Sequence, residues 1–248
     1  MTAHARAAIV TIGDEIVTGD VQNTNGAWLA KRLEALGIGV TLQLAVRDDM
    51  EQIVAFLRQL IPTVEVVIVT GGLGGTPDDI TREALAATFD VGQEVHEPTE
   101  ALLRARFTRL PDYAARFAEL PVGSRPLHNP LGGAPGFAIG NVYVLPGLPS
   151  EMEMMFDEVV APELPGAGTA PIASWRRIWS TDEGTIVVAL EEFESLHPHV
   201  GLGSYPSFYA HGRTVELVLK SRDPAALAAA AAWLELAVDE IVARNPSR

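Results

Sequence analysis

The stretch from Val64 to Glu83 constrains the fold more than any other part of this 248-residue chain. Val66, Val67, Ile68 and Val69 make a continuous apolar run, which reads as a strand buried on both faces. It breaks at Thr70 into a loop carrying Gly71, Gly72, Gly74 and Gly75. Asp78 and Asp79 follow, then the helical pattern of Thr81, Arg82, Glu83 and Leu85. A buried strand that feeds a glycine loop and a helix start is where open α/β sheets bind phosphorylated ligands. Glycine lets backbone N–H groups approach phosphate oxygens, and the helix start adds partial positive charge. The two carboxylates repel a bare anion, so a cation is expected between them and the ligand. The loop fits neither G-x-G-x-x-G nor the lysine-bearing G-x-x-x-x-G-K-[ST]. Helix capping by Asp78 or Asp79 is the alternative role for these acids, but a cap does not require four glycines and two acids together.

The same strand–helix alternation extends on both sides. Residues 7–12 read as a first buried strand, and Leu29, Leu33 and Leu36 mark one face of a helix that stops at Gly37. Residues 38–46 form the second strand, and Asp48 and Glu51 have capping-box spacing before a helix with Ile53, Phe56, Leu57 and Leu60 inward. Such alternation requires a parallel sheet with right-handed crossovers. Residues 98–108 and 112–120 read as helices, residues 137–139 and 142–145 as a hairpin around Gly140-Asn141, and Ser150 with Glu153 as the cap of a further helix. Residues 164–173, rich in Pro, Gly, Ala and Thr, read as a linker. The expected fold class is therefore α/β: residues 1–165 as a three-layer domain with a mainly parallel sheet, and residues 174–248 as a small α+β unit.

Composition narrows the function. The 18 basic and 32 acidic residues give a formal net charge of −14, which argues against a nucleic-acid partner. Zero cysteines exclude disulfides and thiolate chemistry. No apolar run is long enough to span a membrane, no signal-peptide pattern opens the chain, and a cytoplasmic protein is expected. The histidines show no H-x-x-x-H and Ser150 lies in no G-x-S-x-G, so neither a zinc site nor a serine hydrolase is supported.

Three successive strands end in carboxylates: Asp14-Glu15 after the first, Asp48-Asp49 after the second and Asp78-Asp79 after the third. In a parallel sheet these ends share the ligand-binding edge, where hard oxygen donors suit magnesium or manganese. Capping is the alternative here too, and for Asp48 it is the favoured one. Asn23-Thr24-Asn25 reads as a helix cap whose amides also suit a base or a pterin edge. Pro146-Gly147-Leu148-Pro149-Ser150-Glu151 is a second strand-to-helix junction with exposed N–H groups.

Taken together, Gly13-Asp14-Glu15-Ile16, Asn23-Thr24-Asn25, the Thr70–Glu83 loop, Asn129-Pro130 with Ala134-Pro135-Gly136-Phe137, and Pro146–Glu151 stand in an order that resembles the N-terminal part of the competence/damage-inducible CinA family. That part is built on the MoaB/Mog molybdopterin-binding fold. Gly203-Ser204-Tyr205-Pro206 resembles the small KH-like domain that follows it in CinA. The resemblance implies metal-dependent hydrolysis of the pyrophosphate in ADP-ribose or a related dinucleotide. The alternative is a non-catalytic molybdopterin- or nucleotide-binding protein. It implies Asp78 and Asp79 as catalytic residues and, with Glu15 and Asp49, as ligands of a divalent metal ion (Mg, Mn or Co). Asp14, Asn23, Asn25, Gly71, Gly72, Gly74, Thr81, Pro146, Gly147 and Ser150 would hold the nucleotide or pterin. Family members self-associate, so a homodimer is expected. The C-terminal deamidase domain of CinA is not expected here. Where the family commonly carries lysine or histidine before the paired aspartates, this chain has Pro77.

Overall fold

The computed structural model describes residues 5–109, 111–165, 171–209 and 212–245, and these form two compact units divided at Thr169/Ala170. Much of the expected linker, residues 166–170, lies outside the described residues.

The first unit runs β1 (Arg6–Ile12), α1 (Asp14–Thr18), α2 (Thr24–Ala35), β2 (Gly39–Val46), α3 (Met50–Leu60), β3 (Val66–Thr70), α4 (Thr81–Thr88), β4 (Gln93–Val95), α5 (Glu97–Arg106), α6 (Pro111–Ala115), β5 (Glu119–Pro121), β6 (Arg125–Leu127), β7 (Gly136–Ile139), β8 (Val142–Leu145) and α7 (Pro149–Met155). Its main sheet has the order β2-β1-β3-β8-β7-β6. The first four strands are parallel, and β7 is antiparallel to both β8 and β6.

Alternation along the central strands decides the layers. Ala8, Val10, Val67 and Val69 point to one face, where they pack with Ile53 and Leu57 of α3 and Ala84 and Leu85 of α4. Ala7, Ile9, Val66 and Ile68 point to the other, against Leu29 and Leu33 of α2 and Met152 and Met155 of α7. Each such buried Val, Leu, Ile or Met side chain contributes ~1.5–3 kcal/mol, so a strand apolar on both faces is stable only between two helical layers. The result is the three-layer α/β arrangement expected from the alternation.

Local details depart from the sequence reading. Residues 112–120 are not one helix: α6 and a 3-10 turn, Arg116–Ala118, give way to β5, which pairs with β4. Strands of three residues are too short to show a period of two. The cap of α3 is Asp49, whose Oδ1 accepts from Gln52 N–H at 2.9 Å, and not Asp48. Asp49→Ala is expected to cost about 1 kcal/mol, read as a lower urea midpoint with an unchanged slope. Pro149 occupies the first turn of α7 behind Leu148, so Ser150 is not its cap.

The second unit runs β9 (Ala173–Trp179), α8 (Glu183–Leu196), β10 (Gly201–Tyr209), β11 (Gly212–Ser221) and α9 (Pro224–Arg244). Its sheet, in the order β10-β11-β9, is antiparallel throughout. Val215, Leu217 and Leu219 of β11 pack on Ile186 and Phe193 of α8 and on Leu227, Leu234 and Val238 of α9. This is an α+β unit with its own core.

Candidate functional site

The C-terminal ends of β1, β3 and β8 open into one cavity of about 470 Å³. From β1 the chain passes to β2 on one side, whereas β3 pairs with β1 on the other. That reversal is the switch point at which open sheets leave a crevice for ligands.

The glycine loop is fastened from behind by α4. Gly71 has φ 106°, and a Cβ there would lie 2.1 Å from the carbonyl oxygen of Ile12, so no other residue fits. Thr81 donates its hydroxyl to Gly71 O at 2.9 Å and its N–H to Gly72 O at 3.2 Å. Arg82, only 5% exposed, donates Nη1 to Leu73 O and Nη2 to Gly74 O, both at 2.7 Å. Four successive carbonyls are thus taken by two neighbouring residues. Gly71 N–H goes to Leu145 O and Gly74 N–H to Asp79. Among the described residues the N–H groups of Gly72 and Leu73 have no partner within the protein, and both residues line the cavity. Successive N–H groups beside a left-handed glycine form a concavity suited to an anion.

Arg82 also supplies charge beneath the loop. Burial pushes its pKa below the usual guanidinium value, against the opposing charges of Glu83, Asp79 and Glu119. Arginine nevertheless stays protonated in proteins. No carboxylate lies within ion-pair distance of it among the described residues. Removing only the Thr81 hydroxyl, as Thr81→Val, leaves Gly71 O buried without that donor. The expected cost is ~1–2 kcal/mol, with weaker anion binding, both checked by thermal melting with and without AMP.

The carboxylates divide by task. Asp79 closes the loop on itself: Oδ1 accepts from Gly74 N–H at 2.9 Å, and Oδ2 accepts from Thr76 N–H at 2.8 Å and from the Thr76 hydroxyl. It is not the cap of α4, which is preceded by Ile80. Both oxygens are engaged, so asparagine is not the silent replacement that a simple cap would allow. Asp78 lines the cavity and is exposed. Asp48 also lines it, accepting Asp14 N–H at 2.9 Å. Burial lifts its carboxyl above the usual carboxylate range; the charges of Asp14, Glu15 and Asp78 add to this and the Asp14 N–H opposes it. Asp14 itself is paired with Arg47 through bonds of 3.1 and 3.2 Å, which hold it below that range.

Two asparagines complete the walls. Asn23 caps α2 by accepting from Gly26 N–H at 2.9 Å. Asn25, 7% exposed, donates Nδ2 to Gly147 O at 2.8 Å and to Thr70 Oγ1 at 3.2 Å. The Thr70 hydroxyl proton is already given to Pro146 O at 2.7 Å, which fixes the Asn25 amide with its oxygen on the other side. That Oδ1 is buried and has no partner. An unsatisfied buried acceptor costs ~1–3 kcal/mol.

Glu15, Asn23, Asn25, Gly71, Gly72, Gly74, Asp78, Asp79, Pro146 and Gly147 line the cavity. Asp14, Asp49, Thr81 and Ser150 do not: Asp14 faces Arg47, Asp49 caps α3, Thr81 lies behind the loop and Ser150 is exposed on α7. Sequence reasoning assigned Asp48 to a cap and gave no site role to Thr70, Arg82 or Glu151. Arg82 left a faint signal, a cation inside a run of Thr and Ala that is buried nearly all round.

For a divalent cation, the protein donors alone are too few. Among the described residues no three His, Asp or Glu side chains gather as a ligand group. Magnesium, however, commonly takes one or two carboxylates and completes its shell with water and phosphate. Asp78, with Asp48 and Glu15 on the same cavity, fits a cation shared with a phosphorylated ligand but not one held by protein alone.

A family model described as "probable molybdopterin binding domain" matches residues 8–166, and one described as "FAD synthase, middle domain" matches residues 177–246. A CinA-like protein of Frankia casuarinae is 35% identical over 237 residues, covering 89% of this chain and 55% of its own length. A CinA-like protein of Citrifermentans bemidjiense is 42% identical over 183 residues, covering 70% of this chain and 43% of its own. The chain thus spans about half the length of these relatives. The crystal structure of the protein CinA, of unknown function, from Thermoplasma acidophilum is similar with a TM-score of 0.59 at 32% identity. The match covers 62% of this chain and 95% of that one.

Proposed function

Because the chain belongs to the CinA-like family, with a molybdopterin-binding domain as its first unit, we propose that its cavity hydrolyses a pyrophosphate-bridged nucleotide. ADP-ribose is the favoured substrate. The observation that carries this reading is the cavity-lining glycine loop, whose Gly72 and Leu73 N–H groups have no partner among the described residues, with a buried arginine behind it and carboxylates lining the same cavity.

In this reading Gly72 and Leu73 N–H groups bind one phosphate. Arg82 and Thr81 keep them aimed by fixing the loop carbonyls, so little reorganisation is needed when charge develops. Asp78 and Asp48 would hold the divalent cation together with phosphate oxygens. When bound, that ion neutralises charge on the bridge and lowers the pKa of water. Asp79 acts through the loop it clamps. Asn25 keeps the Gly147 wall of the cavity in place through its bonds to Gly147 O and Thr70 Oγ1.

A binding protein without turnover is the second reading, favoured by the commitment of both Asp79 oxygens to the loop. Titration calorimetry with ADP-ribose, with and without Mn²⁺, tests the shared part of both. We expect saturable binding that AMP displaces and that Mn²⁺ tightens. Binding that AMP fails to displace would remove the phosphate role of the loop.

A further inference from the structure

We propose that a second cavity of the first unit binds a compact apolar organic anion, such as an aromatic carboxylate. It has a volume of about 570 Å³ and lies between α5 and the segment 126–135. That is within the ~300–1,000 Å³ range of small-molecule sites. Its walls are chiefly apolar, with Leu102 and Leu103 from α5 facing Pro126 and Leu127 of β6.

The ionisable side chains lining it are His96, Arg106 and His128, and no carboxylate lines it among the described residues. In a chain of net charge −14 that is a selective arrangement, since Glu97 and Glu100 on the same helix stay out of the lining. Two of these basic groups are also held in place. Arg106 donates Nη2 to Leu131 O at 2.6 Å. Gly132 makes room for it, because a Cβ there would lie 1.9 Å from the guanidinium carbon. His96 has its Nδ1 2.7 Å from Thr99 Oγ1 at the start of α5, so its Nε2 is the nitrogen left for a ligand. Apolar walls take the body of the ligand, and the basic groups take its charge at the rim, where Arg106 and His128 are exposed and His96 is half-buried.

This site is separate from the first cavity. Asn129 holds the wall between them, donating Nδ2 to Ala134 O and to Glu151 Oε2, both at 3.0 Å. Ala134 and Glu151 line the first cavity, Gly132 and Gly133 the second.

The test uses 2-naphthoate and its neutral counterpart 2-naphthamide, titrated by NMR into the full chain. Naphthoate is expected to bind one-to-one and at least tenfold tighter than the amide. Arg106→Gln should erase that preference. Ala105→Trp, on an exposed position of α5 that lines the cavity, should abolish binding with the melting temperature unchanged. Equal binding of acid and amide would overturn the proposal, as would naphthoate binding that survives Ala105→Trp or is displaced by AMP. Loss of self-association in Ala105→Trp without any naphthoate binding would give the cavity to a second copy of the chain and equally overturn it.

Discussion

Replacing Arg82 with methionine is expected to collapse the anion-binding loop and to cost ~3–5 kcal/mol of stability, because hydrogen bonds from a charged group are worth ~1.5–3 kcal/mol each and two buried carbonyls lose their donors. For a chain of this size, each kcal/mol lowers the melting temperature by roughly 2–4 °C, so a drop near 10 °C is expected by calorimetry. Methionine keeps the apolar bulk against Phe117, so the loss reports the guanidinium and not the packing. Arg82→Lys should recover little. One ammonium cannot span Leu73 O and Gly74 O as the planar fork does. AMP affinity should fall in both variants by more than the loss of folded protein explains. A lysine variant with full stability and affinity would show that the loop is fixed without the fork.

What could be read from the sequence follows from the range of each signal. The strands carrying Val10 and Ile68 announce themselves by unbroken apolar runs, and the layers follow from their two-sided burial. The glycine loop is equally local, since Gly71 and Gly72 need backbone conformations that only a few residues supply. Long-range partners are invisible at that level. Arg82 looks like a surface arginine on a helix until its carbonyl partners, eight and nine residues back, are placed beside it. Asp48 and Asp49 are adjacent, and spacing cannot decide between them. The fold turns one onto α3 and the other onto Asp14. The short pairing of β4 with β5 is set by contacts across 24 residues or more and leaves no periodicity.

The second large effect is on chemistry. Asp78→Asn is expected to lower the rate of pyrophosphate cleavage about 100-fold or more, since about 1.4 kcal/mol of lost transition-state stabilisation is a factor of ten and metal ligation supplies several kcal/mol. Asp78 is exposed, and its carboxylate meets only the Thr76 side chain and its own N–H, whereas the Gly74 and Thr76 N–H groups go to Asp79, so the melting temperature should change little. Asp79→Asn should behave differently. Its amide replaces one of the two oxygens by N–H₂, so either the Gly74 N–H or the Thr76 N–H and hydroxyl lose their acceptor, and stability and rate fall together. The contrast separates a residue that meets the cation from one that builds the loop. If Asp78→Asn cleaves at the unmutated rate, the cation ligand lies elsewhere.

The central claim is that this cavity breaks a pyrophosphate bond. The direct measurement is chromatographic detection of AMP and ribose 5-phosphate formed from ADP-ribose by the unmutated chain, with Mg²⁺, Mn²⁺ or Co²⁺ and again with excess chelator. The account predicts both products in equal amounts with at least one of the metals, and neither with chelator. Intact ADP-ribose after long incubation with every metal, alongside calorimetric binding of the same compound, would contradict it and leave a nucleotide-binding protein.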